Sequence, residues 1–397
     1  MRSNLSPKIF LVLAVVMTAA GFVLMDQHDV QAGEVNPAPG YKVLEPIRHG
    51  NLTVFPVVAA KSYPTGEFMT LDEGLRSGDV VVTEAGNVQG LIRRHTTPIV
   101  RSEVRHDGAE VNRLVLVNNS KRPLLLLAGE IVSGGKQDRV IGKDRIVPAE
   151  SDPVDLSVFC VEPGRWVASS EHFGASESMY GGAYHGATAG GPITDAPAPM
   201  AMMVQPSVRA KAMADKDQSQ VWAEVRKQQS EMVAVEVSAA APQVATEIAQ
   251  TSSYAKVNEN EDVKKQVDAV AKPIEQNYQS LIRQLRDRNA VGVVVAVNGR
   301  IIWADVFAST DLLEKYWPKL VRSYASEAVV TRAKEIEVGV AQAQAFLGNM
   351  EGRREMIESE PGIYRHTEIS GDGFKAFSLT SLLPKTGFEV HVAKMAE

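Results

Sequence analysis

Two glutamates and a cluster of cations in one stretch of the chain are of the types that do chemistry. Between Leu124 and Trp166 the sequence reads LLLLAGEIVSGGKQDRVIGKDRIVPAESDPVDLSVFCVEPGRW. Glu130 and Glu162 each follow an apolar run, and Lys136, Gln137, Asp138 and Arg139 fall between them, with Arg165 and Trp166 closing the stretch. Alternation puts Leu124, Leu126, Ala128 and Glu130 on one strand face, and Val154, Leu156, Val158, Cys160 and Glu162 on another. A carboxylate at the rim of a buried face needs a partner or it takes up a proton, so both glutamates are candidates for general acid and base. Lys136, Gln137 and Arg139 have the chemistry to hold an anionic or sugar-like ligand, with Trp166 as a stacking surface and Gly134-Gly135 letting backbone come close. The same residues also suit a salt-bridge network that pins two strand ends, with Trp166 capping the core; both readings are open at this point.

Other chemistries fit less well. Gly129 through Lys136 has its first glycine one residue too far from the lysine for a phosphate loop, and Gln137 stands where Ser or Thr would hold magnesium. No GxGxxG opens a helix after a strand. Cys160, between Phe159 and Val161 on an apolar strand, lacks the exposed electropositive setting of a nucleophile. The eight histidines show no metal-ligand spacing and the single cysteine has no pair, so neither a metal nor a cofactor is expected. His172, His185, Met200, Met202 and Met203 could be offered to copper but hold no regular spacing.

The elements that must position these residues are legible in part. Strand-like runs occur at 51–60, 80–83, 98–104, 111–117, 124–128 and 154–161, with Pro56 hinting at an edge or a bulge. Thr70-Leu71-Asp72-Glu73 is a capping box, which predicts a short helix to Leu75 or Arg76 ending near Gly78. Apolar residues at Val263, Val267, Val270, Ile274, Tyr278, Leu281 and Leu285 predict a helix with a kink or a fresh start at Pro273. Asn298-Gly299 between VGVVVAV and RIIWADVF predicts a β-hairpin. Ser309 or Thr310 then caps a helix through Val321, a further helix is expected from about Ser326 to Leu347, and short strands near 363–369, 374–380 and 387–392 end the chain.

The resulting fold class is α+β: a mostly antiparallel, β-rich N-terminal half packed with a helical C-terminal half that ends in short strands. The expected organisation is a signal peptide at 1–32, a β-rich domain at 41–170 carrying the motif, a flexible Gly/Ala/Pro/Met-rich loop at 171–206, and a helical plus hairpin region at 207–397. Arg2 and Lys8 precede the uncharged run Ile9–Met25, and Val30-Gln31-Ala32 offers a cleavage site before Gly33. These features predict a periplasmic or secreted protein, anchored in the inner membrane only if the segment is not cleaved. A formal charge of −6 gives no electrostatic reason to expect nucleic acid.

The motif string Gly129-Glu130, Gly135-Lys136-Gln137-Asp138-Arg139, Pro148-Ala149, Cys160-Val161-Glu162 and Gly164-Arg165-Trp166 resembles that of a bacterial domain family. That family is named for its association with ADP-ribosylglycohydrolase and rhodanese-phosphatase superfamily proteins. The resemblance extends to His49-Gly50-Asn51-Leu52, Thr70-Leu71-Asp72-Glu73, Gln220-Val221-Trp222 and the segment from Val306-Phe307 to Ala328. It implies no established reaction, and its name implies only a link with ADP-ribose or phosphoester metabolism. Export would take this chain away from ADP-ribose. The functional expectation is therefore binding of an anionic or sugar-like ligand, or of a partner, through the Glu130–Trp166 motif. The alternatives are a hydrolase of a sugar or phosphoester using Glu130 and Glu162, and a non-catalytic envelope interaction module.

Overall fold

The computed structural model describes residues 40–84, 113–134, 137–163, 172–174 (backbone only), 202–239, 241–285, 289–332 and 336–397. The expected signal peptide, the strand at 98–104, the motif residues Lys136, Arg165 and Trp166, and most of the loop expected at 171–206 lie outside them.

The N-terminal strands are β1 (Tyr41–Val43), β2 (Ile47–His49) and β3 (Leu52–Ala59). β3 pairs antiparallel along its length with β13 (Asn289–Val297), which the Asn298-Gly299 turn joins to β14 (Arg300–Phe307). β14 pairs with the C-terminal strand β18 (Glu389–Ala396), and the sheet continues through β17 (Phe374–Ser381) and β16 (Tyr364–Gly371) to the edge strand β15 (Arg353–Glu360). Both ends of the described chain thus meet in one nine-stranded sheet. Pro56 sits at neither edge. β1 covers Val57–Ala59 and β2 covers Leu52–Val54, so Pro56 falls in the gap between the two short strands, where the proline's missing N–H costs no ladder bond.

The motif strands build a second body. β5 (Val80–Glu84), β6 (Arg113–Asn118), β8 (Ile131–Gly134), β9 (Arg139–Ile141), β11 (Val154–Cys160) and β12 (His172–Gly174) close into a small barrel. Alternating residues such as Val82, Leu114, Leu116, Val132, Leu156 and Val158 fill its core. Three short strands, β4 (Met69–Thr70), β7 (Leu124–Leu126) and β10 (Arg145–Val147), form a separate sheet. Helix α1 (Leu71–Ser77) carries the expected capping box between Thr70 and Glu73 and stops at Gly78 in the left-handed conformation.

The helical part begins with α2 (Pro206–Ala210) and α3 (Gln218–Ser238), then α4 (Pro242–Gln250), α5 (Tyr254–Glu259) and α6 (Glu261–Gln284). α6 runs through Pro273 without ending, because buried residues on both sides of it, Val267, Ala271, Ile274 and Tyr278, hold one face on the core. The next helix, α7 (Thr310–Val330), is continuous where the sequence suggested a new start near Ser326. Its apolar face does not lapse there: Val321, Tyr324, Ala325 and Ala328 are all buried, and Tyr278 of α6 packs on Trp317 with ring centroids 4.3 Å apart. α8 (Val340–Gly348) follows separately. The α+β class holds, with helices in the middle of the chain and strands at its end.

In the β13–β14 turn both residues have positive φ, 52° at Asn298 and 71° at Gly299, the pattern of a type I′ hairpin. A Cβ at Gly299 would also stand 2.4 Å from the Ile336 carbonyl oxygen. Gly299→Ala is expected to lower the unfolding free energy by about 1–3 kcal/mol, measured by denaturant titration, through left-handed strain plus this backbone contact.

Candidate functional site

The barrel delivers the motif residues inward. Glu130 follows Gly129, whose φ of +95° turns the chain out of β7 towards β8. A Cβ at Gly129 would lie 2.9 Å from Cδ of Arg209, so glycine is needed both for the turn and for the passage of that arginine. Segment 202–204 then pairs with the motif: Ile131 N–H donates to the Met202 carbonyl and Val204 N–H to the Gly129 carbonyl, each at 2.8 Å. Met202, Met203 and Val204, read from sequence as the end of a flexible loop, are buried.

Glu130 is fully buried. Its Oε1 accepts from Lys319 Nζ of α7 at 2.5 Å, and its Oε2 accepts from the Leu127 N–H at 2.7 Å. The same ammonium donates to Asp72 Oδ2 of α1 at 2.5 Å. Burial raises the Glu130 pKa, Lys319 opposes the rise, and the nearby Asp72 carboxylate reinforces it, for a net upward shift. For Lys319, burial alone would lower the pKa, but Asp72 and Glu130 together raise it, so the amine stays charged.

A second buried chain runs beside the first. Ala128 N–H donates to Asp144 Oδ1 at 2.8 Å, while Asp144 Oδ2 meets His391 Nδ1 at 2.6 Å. His391 Nε2 lies 3.1 Å from Asp305 Oδ1. Asp305 Oδ2 accepts from Arg209 at 2.9 Å and from the Tyr324 hydroxyl, and the Arg209 guanidinium lies over the Trp303 ring. Burial would lower the His391 pKa, but the Asp144 and Asp305 carboxylates outweigh it and raise it to about 9. Burial likewise pushes both aspartates up; for Asp144 the His391 cation and for Asp305 the Arg209 guanidinium reverse that, leaving each well ionised.

Glu162 belongs to a different cluster. Its Oε2 accepts from the Asp138 N–H at 3.2 Å, and its backbone carbonyl accepts from Gln137 Nε2 at 3.1 Å. Asp138 accepts from Gly134 N–H and from the Ser253 hydroxyl of α5, the latter at 2.9 Å. Gln137, Asp138, Arg139 and Glu162 are all buried, so they do not line an open hollow. The structure thus separates the two glutamates by partner: Glu130 turns to α1 and α7, Glu162 to the β8–β9 turn. Cys160 is buried, with burial raising its thiol pKa.

Open space lies one layer further out. A groove between α6, α7 and residues 202–203 is lined by Met203, Lys264, Asp268, Lys319, Arg322 and Asn258, among others. Lys319 at its base is the cation that Glu130 holds. Arg322 pairs with Asp268 at 3.2 Å and Glu275 at 3.4 Å. Sequence reading missed Lys319, Arg209, Asp305 and His391 as partners. A signal was present for three of them: Lys319 falls at helical spacing on the face of Leu312 and Tyr316, while Asp305 and His391 alternate into inward strand faces beside Trp303, Phe307 and Ala393.

No group of three His, Cys, Asp or Glu side chains suited to a metal ion occurs among the described residues, and no helix among them is long and apolar enough to cross a membrane. The fold and buried lattice define an α+β protein in which Glu130, Gln137, Asp138, Arg139 and Glu162 are buried. Residues 40–394 match the model of the ARG and Rhodanese-Phosphatase-superfamily-associated Protein domain, and the chain belongs to that family. No curated protein and no solved structure matches it.

Lys319→Met leaves Asp72 and Glu130 buried without their cation and is expected to cost about 3–5 kcal/mol of stability in denaturant titration. His391 has a raised folded pKa, so its contribution is complete below 6.5 and is lost as pH rises through about 9, a loss of about 3 kcal/mol. Glu389, raised to about 7 by burial, loses its contribution as pH rises from about 4.5 to 7, below the His391 window. Lys143 and Lys394, lowered to about 8 by burial, act in the opposite sense above that pH, so the decline expected to vanish in His391→Gln is the one between pH 7 and 8, as read by unfolding free energy against pH.

Proposed function

We propose that the chain is a binding protein for an anionic or sugar-like ligand, and that the ligand occupies the groove between α6 and α7. The observation that carries this reading is the lining of the groove, which brings Lys264 and Arg322 together with Asn258, Ser323 and Ser326 above a floor fixed by the buried Lys319–Glu130–Asp72 cluster. Lys264, paired with Glu261, and Arg322, paired with Asp268 and Glu275, bring cationic donors to the lining, Asp268 adds one acid, and Asn258, Ser323 and Ser326 supply neutral hydrogen-bonding groups. That mixture suits a carboxylate, a phosphate or a polyhydroxylated ring. In this reading Glu130 braces the floor of the groove and does not itself touch the ligand.

The two alternatives draw less support. Glu130 and Glu162 are both buried and bonded to different groups, whereas hydrolysis by a carboxylate pair needs a shared space for substrate and water. The apolar face of α6 (Val263, Val267, Ile274, Tyr278), which an interaction module would expose, is buried. As part of the same proposal the protein acts in the periplasm or outside the cell, a reading supported by the charged, apolar and small-residue order of Arg2 to Ala32.

The test is a thermal-shift titration of the protein from Gly33 onward against inorganic phosphate, sulfate, monosaccharides and nucleotides. One of these classes is expected to raise the melting midpoint, by an amount equivalent to about 2.7 kcal/mol at a hundredfold excess over Kd. Lys264→Ala at the rim of the groove should shrink that response without lowering the midpoint of the free protein. A screen in which none of these compounds shifts the midpoint would defeat the proposal.

A further inference from the structure

The nine-stranded sheet ends in two different ways. At one edge, β1 meets the side chain of Gln344 from α8: Oε1 accepts from the Val43 N–H at 2.8 Å, and Nε2 donates to the Tyr41 carbonyl at 3.2 Å. The amide stands in for a further strand and closes that edge. At the other edge β15 pairs only with β16 among the described strands, and none of its eight residues is buried. Met356 in its middle is 59% exposed, and the Arg353 and Glu355 side chains are 83% and 66% exposed. An edge left open in this way presents backbone N–H and C=O groups to any strand that can approach it.

The order of side chains decides which strand that is. β15 reads RREMIESE, with arginines at its start, Glu358 and Glu360 at its end and Met356-Ile357 between them. An edge of one charge sign repels a second copy in either direction. This edge is polarised instead: a parallel copy would set arginines beside arginines, whereas an antiparallel copy sets arginines beside glutamates. The register shift between Met356 and Glu358 makes the match geometric. Across it, Arg353 and Glu360 pair with Ser370 and Tyr364 of β16, and Arg354 and Ser359 with Ile369 and Arg365. Each of those β16 pairs is an even number of positions apart, so Arg353 and Glu360 share one side of the sheet and Arg354 and Ser359 the other. A twofold axis through the shift then places Arg353 opposite Glu360 of the second copy and Arg354 opposite Ser359. Glu355 opposite Glu358 is the one like-charged match, and Lys143 and Arg145 already pair with Glu358.

We propose that β15 pairs antiparallel with β15 of a second copy of this chain, joining two nine-stranded sheets into one across a twofold axis. The contact is isologous, so the Arg353–Glu360 match occurs twice. At the axis Met356 and Ile357 of each copy meet those of the other, which takes the exposed methionine out of water. The inference does not rest on the groove reading, since the groove lies between α6, α7 and residues 202–203 and shares no residue with β15.

The experiment is sedimentation equilibrium of the purified protein over a micromolar concentration series, where a dimer is expected. Two variants carry the test. Arg353→Glu with Arg354→Glu makes the strand acidic throughout, and Glu355→Arg with Glu360→Arg makes it mostly basic. All four positions are exposed, so each variant should keep the unfolding midpoint of the unaltered protein. Each variant alone is expected to dimerise about tenfold more weakly or worse, because like charges then face each other across the axis. An equimolar mixture should recover a dimer holding one copy of each, since the arginines of one again face glutamates of the other. A protein that stays monomeric at every concentration overturns the proposal. So does a dimer that either variant keeps at full strength, which would place the contact elsewhere, and so does a mixture that stays monomeric.

Discussion

Charge buried where the barrel, the large sheet and helix α7 meet is the constraint on which this structure depends. Four carboxylates, Asp72, Glu130, Asp144 and Asp305, are removed from water together with Lys319, Arg209 and His391. None of them is tolerable alone, since an isolated charge in an apolar interior costs far more than a domain's whole margin of stability. Each therefore commits its element to a position: Lys319 holds α7 against both α1 and β8, and His391 holds β18 between Asp144, in the turn before β10, and Asp305 of β14. A slip of one residue in β18 would turn His391 to the opposite face and leave two aspartates unpaired. Ion pairs of this kind add little net stability compared with apolar packing, but they penalise wrong arrangements heavily.

The motif acquires a physical meaning from this lattice. Gly129 makes room for Arg209, Glu130 orients Lys319, and Asp138 accepts from Ser253 beside Tyr254. Among the described motif residues, Glu130 and Asp138 are thus buried with partners from α7 and α5.

Much of the local structure was legible from residue order. The Thr70–Glu73 capping box, the Asn298-Gly299 hairpin, the Ser309 cap and the apolar spacing of α6 each depend on contacts within a few residues, and each appears where its signal lies. The break anticipated between Val321 and Ser326 is absent because Ser323 and Ser326, poor helix formers in isolation, find partners in the Val204 carbonyl and the Gln205 side chain. The edge strand β15, RREMIESE, went unread because six of its eight residues are polar, none is buried and no alternation marks it. Pro56, which by itself suggests an edge or a bulge, falls between two short strands that cover β3 on that side.

The sequence by itself determined the elements, the α+β class and the stretch in which charged residues gather, because periodicity, caps and turns act over distances of about ten residues or fewer. Which charge meets which was decided only by the tertiary structure. Glu130 and Lys319 are 189 positions apart, and Asp72 and Asp144 find Lys319 and His391 at separations of 247. No local rule spans such gaps. They close because β3 and β18 enter the same sheet from opposite ends of the chain, and burying its apolar faces against α6 and α7 brings the charges within reach of one another.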